Sequence, residues 1–355
     1  MNTANPRADQ ARTATSSATR ISLRAKALTA LVQIALIALI TLGLLEALVA
    51  FSFRYPAASP VPATLLRYLH LRFDRNVIQV LPECAMYDET LTYRLRPGRC
   101  TFASREFRNE YRINTLGVRD DEESLRAPQT VVLGDSLAMG WGVNQDESFS
   151  SVYERTTGVR TLNAGVSSYG TVRELRMLER IDRSAMKDLV VQYNQNDAFE
   201  NSQLVERPPF QTLTREHYER TVADQRDLLR YYPGKYAFNV LVQLQSMVRG
   251  RQPVQESSNI DLDRQAWLFI EVLRRSKVDL RQYRLTVLAV DSDFIAAAKR
   301  AAQQSEIDWI SRIGFVDAAP ITKVQGALYR LDDHPTAVGH QEIARLLVAH
   351  LAGTN

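Results

Sequence analysis

The stretch "VVLGDSLAMGWGV", Val131 to Val143, decides how this chain reads. A short apolar, β-branched run stops on Gly134, Asp135 and Ser136. A run of that kind, bounded by small polar residues, predicts a buried strand that ends in a turn. Gly, Asp and Ser favour turns for ordinary reasons, so the tripeptide alone is a weak signal. The sharper reading is a hydroxyl presented at the carboxyl edge of a sheet, where open α/β sheets gather their chemistry.

Working outward, "VRTLNAG", "DLVVQYN", "RLTVLAV" and "IGFVDAA" repeat the strand pattern. Between them lie helical stretches. In "GTVRELRMLERI", Val172, Leu175, Leu178 and Ile181 share one face. The alternation predicts right-handed crossovers and a parallel sheet covered on both faces. Residues 198–282 hold more helix than one crossover needs, which predicts a helical insertion able to cover a site. "AVGHQEIARLLVAHLA" closes the chain as an amphipathic helix.

Upstream, residues 1–54 hold six Arg and Lys against two acids, which accounts for the whole net charge of +4. The remainder is neutral, so no nucleic-acid surface is expected. Residues 1–26 are rich in Ala, Thr, Ser and Asn and predict a disordered tail. From Ala27 to Phe51 the chain is almost uniformly apolar, and at about 1.5 Å per residue it crosses a core of roughly 30 Å. Residues 27–53 therefore predict a transmembrane anchor, with Glu46 near the far interface. A buried helix seldom reads so apolar for so long. A cleaved signal peptide would show a small-x-small site, which "LEALVAFSF" lacks. The preceding basic residues keep the N-terminus cytoplasmic and put the rest outside.

Residues 54–128 read as a Pro/Ala/Ser linker and a small N-terminal subdomain. They carry the only two cysteines, Cys84 and Cys100, 16 residues apart. Outside the cytoplasm these can pair, at about 3 kcal/mol of stabilisation in the chain-entropy model; the plainer alternative is two unrelated buried thiols. No His/Cys spacing for zinc, phosphate loop, dinucleotide fingerprint or Gly-x-Ser-x-Gly elbow is present, so no metal and no cofactor is expected.

Four features fall at predicted strand ends: Ser136, the Asn163-Ala164-Gly165 turn, Asn196-Asp197, and Asp332 with His334 in "LDDHP". Each alone reads as a turn or a helix cap. Together and in order they supply a hydroxyl, a base, an acid and hydrogen-bond donors, the parts of acyl transfer. Ser136, Gly165 and Asn196 are of the types that can stabilise a tetrahedral oxyanion. Trp141 reads as core or pocket wall. His340, in the last helix, reads as structural.

Gly134-Asp135-Ser136, Gly165, Asn196 and His334 resemble the four blocks of the SGNH/GDSL hydrolases over about residues 129–355. The anchor and "INTLGVRD" look like a membrane-anchored bacterial branch of that family. The resemblance implies a flavodoxin-like three-layer α/β/α sandwich. It also implies Ser136 as nucleophile, His334 as base, and Ser136, Gly165 and Asn196 as oxyanion donors. The third block departs from the usual Gly-x-Asn-Asp, since Asn194 replaces the glycine. The acid departs too: Leu331 stands three before the histidine, which leaves Asp332, favoured here, or Asp333. The expected function is a periplasmic, membrane-anchored serine esterase acting on O-acyl, most plausibly O-acetyl, esters of saccharides. The alternatives are an O-acyltransferase of cell-surface polysaccharide and a non-catalytic anchored scaffold.

Overall fold

The computed structural model describes residues 6–249, 261–332 and 334–353, with the backbone alone for 6–24, 247 and 248. Its elements begin with α1 (Pro6–Arg54) and α2 (Ala63–Phe73). Two hairpins follow, β1 (Ala85–Asp88) with β2 (Thr92–Leu95), and β3 (Gly98–Ala103) with β4 (Arg108–Ile113). Then come β5 (Thr130–Leu133), α3 (Ser136–Met139), α4 (Phe149–Thr157), β6 (Thr161–Asn163), α5 (Thr171–Leu178) and β7 (Asp188–Tyr193). The second half runs α6 (Asp197–Glu206), α7 (Arg215–Leu229), α8 (Lys235–Val248), α9 (Leu262–Arg274), β8 (Arg284–Ala289), α10 (Ser292–Gln303), α11 (Asp308–Ser311), β9 (Gly314–Asp317) and α12 (Ala337–Ala352).

The chain divides into two compact units. One holds residues 1–62 and 231–251; the other holds 63–230 and 252–355. In the larger unit, β6-β5-β7-β8-β9 form one parallel sheet, the doubly wound order 2-1-3-4-5. The β-strand period of two divides each strand between two cores. Val132, Val190 and Leu288 pack with Phe149, Ile343 and Leu347 from α4 and α12. Val131, Val191 and Val287 pack on the opposite face with Leu175, Phe269 and Phe294 from α5, α9 and α10. The fold is thus the expected α/β/α sandwich, and its five strands are the five read from the sequence.

Three boundaries differ from the sequence reading. Helix α1 starts at Pro6, so the tail read as disordered is helical from there. Proline suits the first helical turn, and nothing from Arg7 to Lys26 breaks a helix. Residues 63–128 are part of the sandwich unit and not a subdomain of their own. Their Tyr93, Phe102 and Tyr111 share a core with the sheet, and Cys84 and Cys100 form a disulfide with Cα atoms 5.3 Å apart. The insertion also resolves differently. Helix α9 is the covering helix of the β7–β8 crossover, packed on α6 and α10, while α8 lies in the other unit beside α1. The apolar face of α9 explains its place: Phe269, Val272 and Leu273 are buried, the signature of a layer helix.

Candidate active site

Strand β5 delivers Ser136 through a tight turn. Gly134 has φ +153°, and a Cβ there would meet Ala138 Cβ and Gln192 Oε1 at 2.6 Å. Asp135 caps α3, its Oδ1 accepting from the Leu137 amide at 2.9 Å. The turn is also held from β7. Buried Gln192 accepts from the backbone N–H groups of Asp135 (3.0 Å) and Ala138 (3.3 Å). Ser136 thereby projects from the carboxyl end of the sheet beside its topological switch point.

The structure brings Ser136 together with Asp332 and His334, 196 and 198 residues further along the chain. Ser136 Oγ lies 2.6 Å from His334 Nε2, and His334 Nδ1 lies 2.5 Å from Asp332 Oδ1. At these distances Nε2 can accept from the serine hydroxyl while Nδ1–H donates to the carboxylate. Asp332 is only 1% exposed. Burial alone would raise its pKa, but the His334 ring, its hydrogen bond and Arg75 outweigh burial and hold the carboxyl well below the usual range. It is therefore ionised at neutral pH, the state that can steady an imidazolium. Asp333 lies outside the described residues.

The two other expected donors are placed elsewhere. Gly165 is a site of backbone contact: a Cβ would fall 2.4 Å from Met139 N, so only glycine fits under the nucleophile turn. Its amide donates to Asn163 Oδ1 at 3.1 Å. Asn196 is exposed at the start of α6 and does not line the cavity at Ser136. Asn194 does line it, with Nδ2 donating to Asp135 Oδ2 at 2.9 Å. The side-chain amide that borders this cavity is that of Asn194, not that of Asn196. The turn after β7 puts residue 194 at the sheet edge and hands 196 to the helix.

Several supporting residues were not legible as such. Arg75, just after α2, sets Nε 3.4 Å from Asp332 Oδ2, with its guanidinium 4.9 Å from the Trp141 ring. Trp141 stacks on His334 at 4.7 Å and 19°. The loop that carries Trp141 is gripped by buried Arg119, which donates to the carbonyls of Met139 (3.2 Å), Val143 (2.7 Å) and Gly140. Glu106, in the β3–β4 turn, accepts from the amides of Arg330 and Leu331 at 2.8 Å each and so fixes the approach to Asp332. A Gln inside the buried run "DLVVQYN" was the one available signal, for Gln192; Arg75 and Glu106 left none. His340 is fully buried, accepts from the Phe149 amide at 3.2 Å, and is pushed by burial down to about 3.

A cavity of about 380 Å³ opens at Ser136 and His334. Leu137, Val290, Leu328 and Pro335 give it apolar walls, while Asn194, Gln195, Asp291 and Thr322 add polar groups. Among the described residues, none from 198–282 lines it, so the expected cover over the site is not seen there. Among the described residues there is no His/Cys/Asp/Glu group fit to hold a metal ion.

No protein-family model matches the chain. No curated protein matches it either. Among solved structures, it is similar to a member of the lipolytic protein G-D-S-L family from Veillonella parvula DSM 2008, at 12% identity and TM-score 0.32 over 64% of this chain and 99% of that one. It is similar to a carbohydrate esterase family 2 enzyme from Corynascus thermopiles (Myceliophthora fergusii), at 13% identity and TM-score 0.37 over 64% and 66%. A third is a salicylyl-acyltransferase from a tetracycline biosynthetic pathway, at 11% and 0.36 over 66% and 57%. At these scores the reading of the site rests on its own geometry.

Proposed function

We propose that this chain, SGNH/GDSL-like in its fold and its four sequence blocks, is a serine ester hydrolase that works through an acyl-serine. The observation that carries this is the continuous Ser136–His334–Asp332 hydrogen-bond chain at the mouth of a cavity. Ser136 Oγ attacks the ester carbonyl as His334 Nε2 takes its proton. The oxyanion is held by the Ser136 amide and the Asn194 side chain. Collapse breaks the C–O bond, and the leaving alkoxide takes the proton from His334. Water then repeats the sequence on the acyl-serine, releasing the acid and restoring the hydroxyl.

The walls support a substrate class. The apolar pocket suits a small acyl group, and the polar groups beside it suit the hydroxyls of a saccharide, so an O-acetylated glycan is the favoured substrate. Water is the acceptor in this reading, and transfer to a second sugar hydroxyl is the alternative that the same acyl-serine allows. The anchor reading adds location. Ala25–Arg54 is long and apolar enough to cross a bilayer, and the basic residues before it support an N-terminus in the cytoplasm and a sandwich outside a bacterial inner membrane.

The test is labelling of the detergent-solubilised full chain with a fluorophosphonate, beside Ser136→Ala and His334→Ala. Labelling should vanish in the first and fall by at least about 10³-fold in rate in the second. Equal labelling of all three would end the catalytic assignment. Acetate release from an acetylated glycan, with and without an acceptor sugar, separates hydrolysis from transfer.

A further inference from the structure

In the smaller unit, the oddest residue of the apolar helix finds partners. Glu46 Oε1 accepts from the Tyr231 hydroxyl at 3.0 Å, and Oε2 accepts from the Ala237 amide at 2.9 Å. Phe53 meets Tyr236 edge-on at 5.3 Å. A carboxylate within an apolar span is costly unless its oxygens are bonded, so Glu46 reads as the docking point of α8 on α1. Helix α8 turns Tyr236, Ala237 and Val240 inward. Its other side leaves Phe238 (56%), Leu241 (48%) and Leu244 (52%) exposed, an apolar face that none of the described residues covers.

We infer that α8 is a second membrane-embedded element, lying in the interface of the leaflet from which α1 emerges, with Phe238, Leu241 and Leu244 in the acyl-chain boundary. Fourteen residues are too few to cross, at about 1.5 Å each, but suit a helix lying along the surface. The occupant is lipid because α8 packs on α1, whose own apolar side chains from Leu28 to Leu44, together with Leu48 and Phe51, are exposed in the same way. The flanking groups agree: exposed Tyr231 and Tyr232 precede the helix, and Arg230 and Arg249 bracket it, as aromatic and cationic residues do at headgroup level. No partner for Glu46 was legible in the sequence. Here it joins the two elements at one depth. The inference rests on the anchor reading of α1.

The experiment uses the full chain in phosphatidylethanolamine/phosphatidylglycerol vesicles. Single variants Phe238→Cys, Leu241→Cys and Leu244→Cys carry a nitrobenzoxadiazole fluorophore, with Leu36→Cys in α1 and Asp224→Cys in α7 as references. Lipids spin-labelled along the acyl chain should quench positions 238, 241, 244 and 36, with emission shifted to the blue, and leave 224 bright. Quenching at 36 alone overturns the placement of α8 and leaves the anchor standing. Quenching at none overturns the anchor. Labels at 238–244 shielded from aqueous iodide yet untouched by the lipid quencher would mean that a second copy of the chain covers this face, which also overturns the inference. In Glu46→Ala, the α8 labels should lose lipid quenching while position 36 keeps it; unchanged quenching would refute the docking role of Glu46.

Discussion

Asn194 and Asn196 stand two positions apart in one turn, yet their surroundings differ. Both are exposed, but one borders the cavity with its amide on Asp135 and the other sits at a helix start away from that cavity. An oxyanion is stabilised only by donors aimed at where its charge appears, and losing one such donor lowers kcat by about 10²–10³. Asn194→Ala is therefore expected to lose about 10²–10³ in kcat on 4-nitrophenyl acetate, and Asn196→Ala less than about tenfold. The opposite ranking, read from the same assay, would return the role to the residue named by the sequence block.

At the scale of elements, the site is held by parts outside the sheet. The segment after α2 brings Arg75 against Asp332 and Trp141, and the β3–β4 turn brings Glu106 to the loop before it. Arg75→Met removes a cation beside the imidazole, which favours protonation of the base. The acid limb of the pH–rate profile should move to higher pH, with kcat/KM down about tenfold, and Arg75→Lys should keep the limb in place. A tenfold loss with no movement of the limb would reduce Arg75 to packing. These contacts also show what a sequence can carry. Strands of period two and polar residues at their ends announce themselves within a dozen positions. Arg75 and His334 are 259 positions apart, and an exposed-looking arginine after a helix has no local pattern. Helix α9 failed differently: its burial marks a layer helix, but the helices before it in the chain hid that it was the crossover itself.

The larger unit as a whole carries an uneven charge. Behind Asp135, buried Glu174, Asp197 and Glu200 face one buried cation, Arg173, which donates to Glu200. Burial first, then Asp197, Asp135 and Glu200, pushes the Glu174 carboxyl well above its ordinary 4.5. Its folded pKa exceeds the unfolded one, so the native state binds more protons. The associated stability is complete below about pH 4.5 and is lost as pH rises toward the folded value. Glu174→Gln should flatten that dependence and melt about 2–4 °C above the parent at pH 8, with little gain at pH 4.5. Parallel melting curves from pH 4.5 to 8 would show that the cluster does not titrate across that range.

The cross-link between Cys84 and Cys100 ties strand β3 to the start of the first hairpin, and β3 leads into the turn that holds Glu106. A reducing cytosol would leave that turn without its staple. The hold of Glu106 on the Arg330 and Leu331 amides, and with it the approach to Asp332, is thus tied to the oxidation state of a bond made far from Ser136 along the chain, and a reductant is expected to loosen the one by breaking the other.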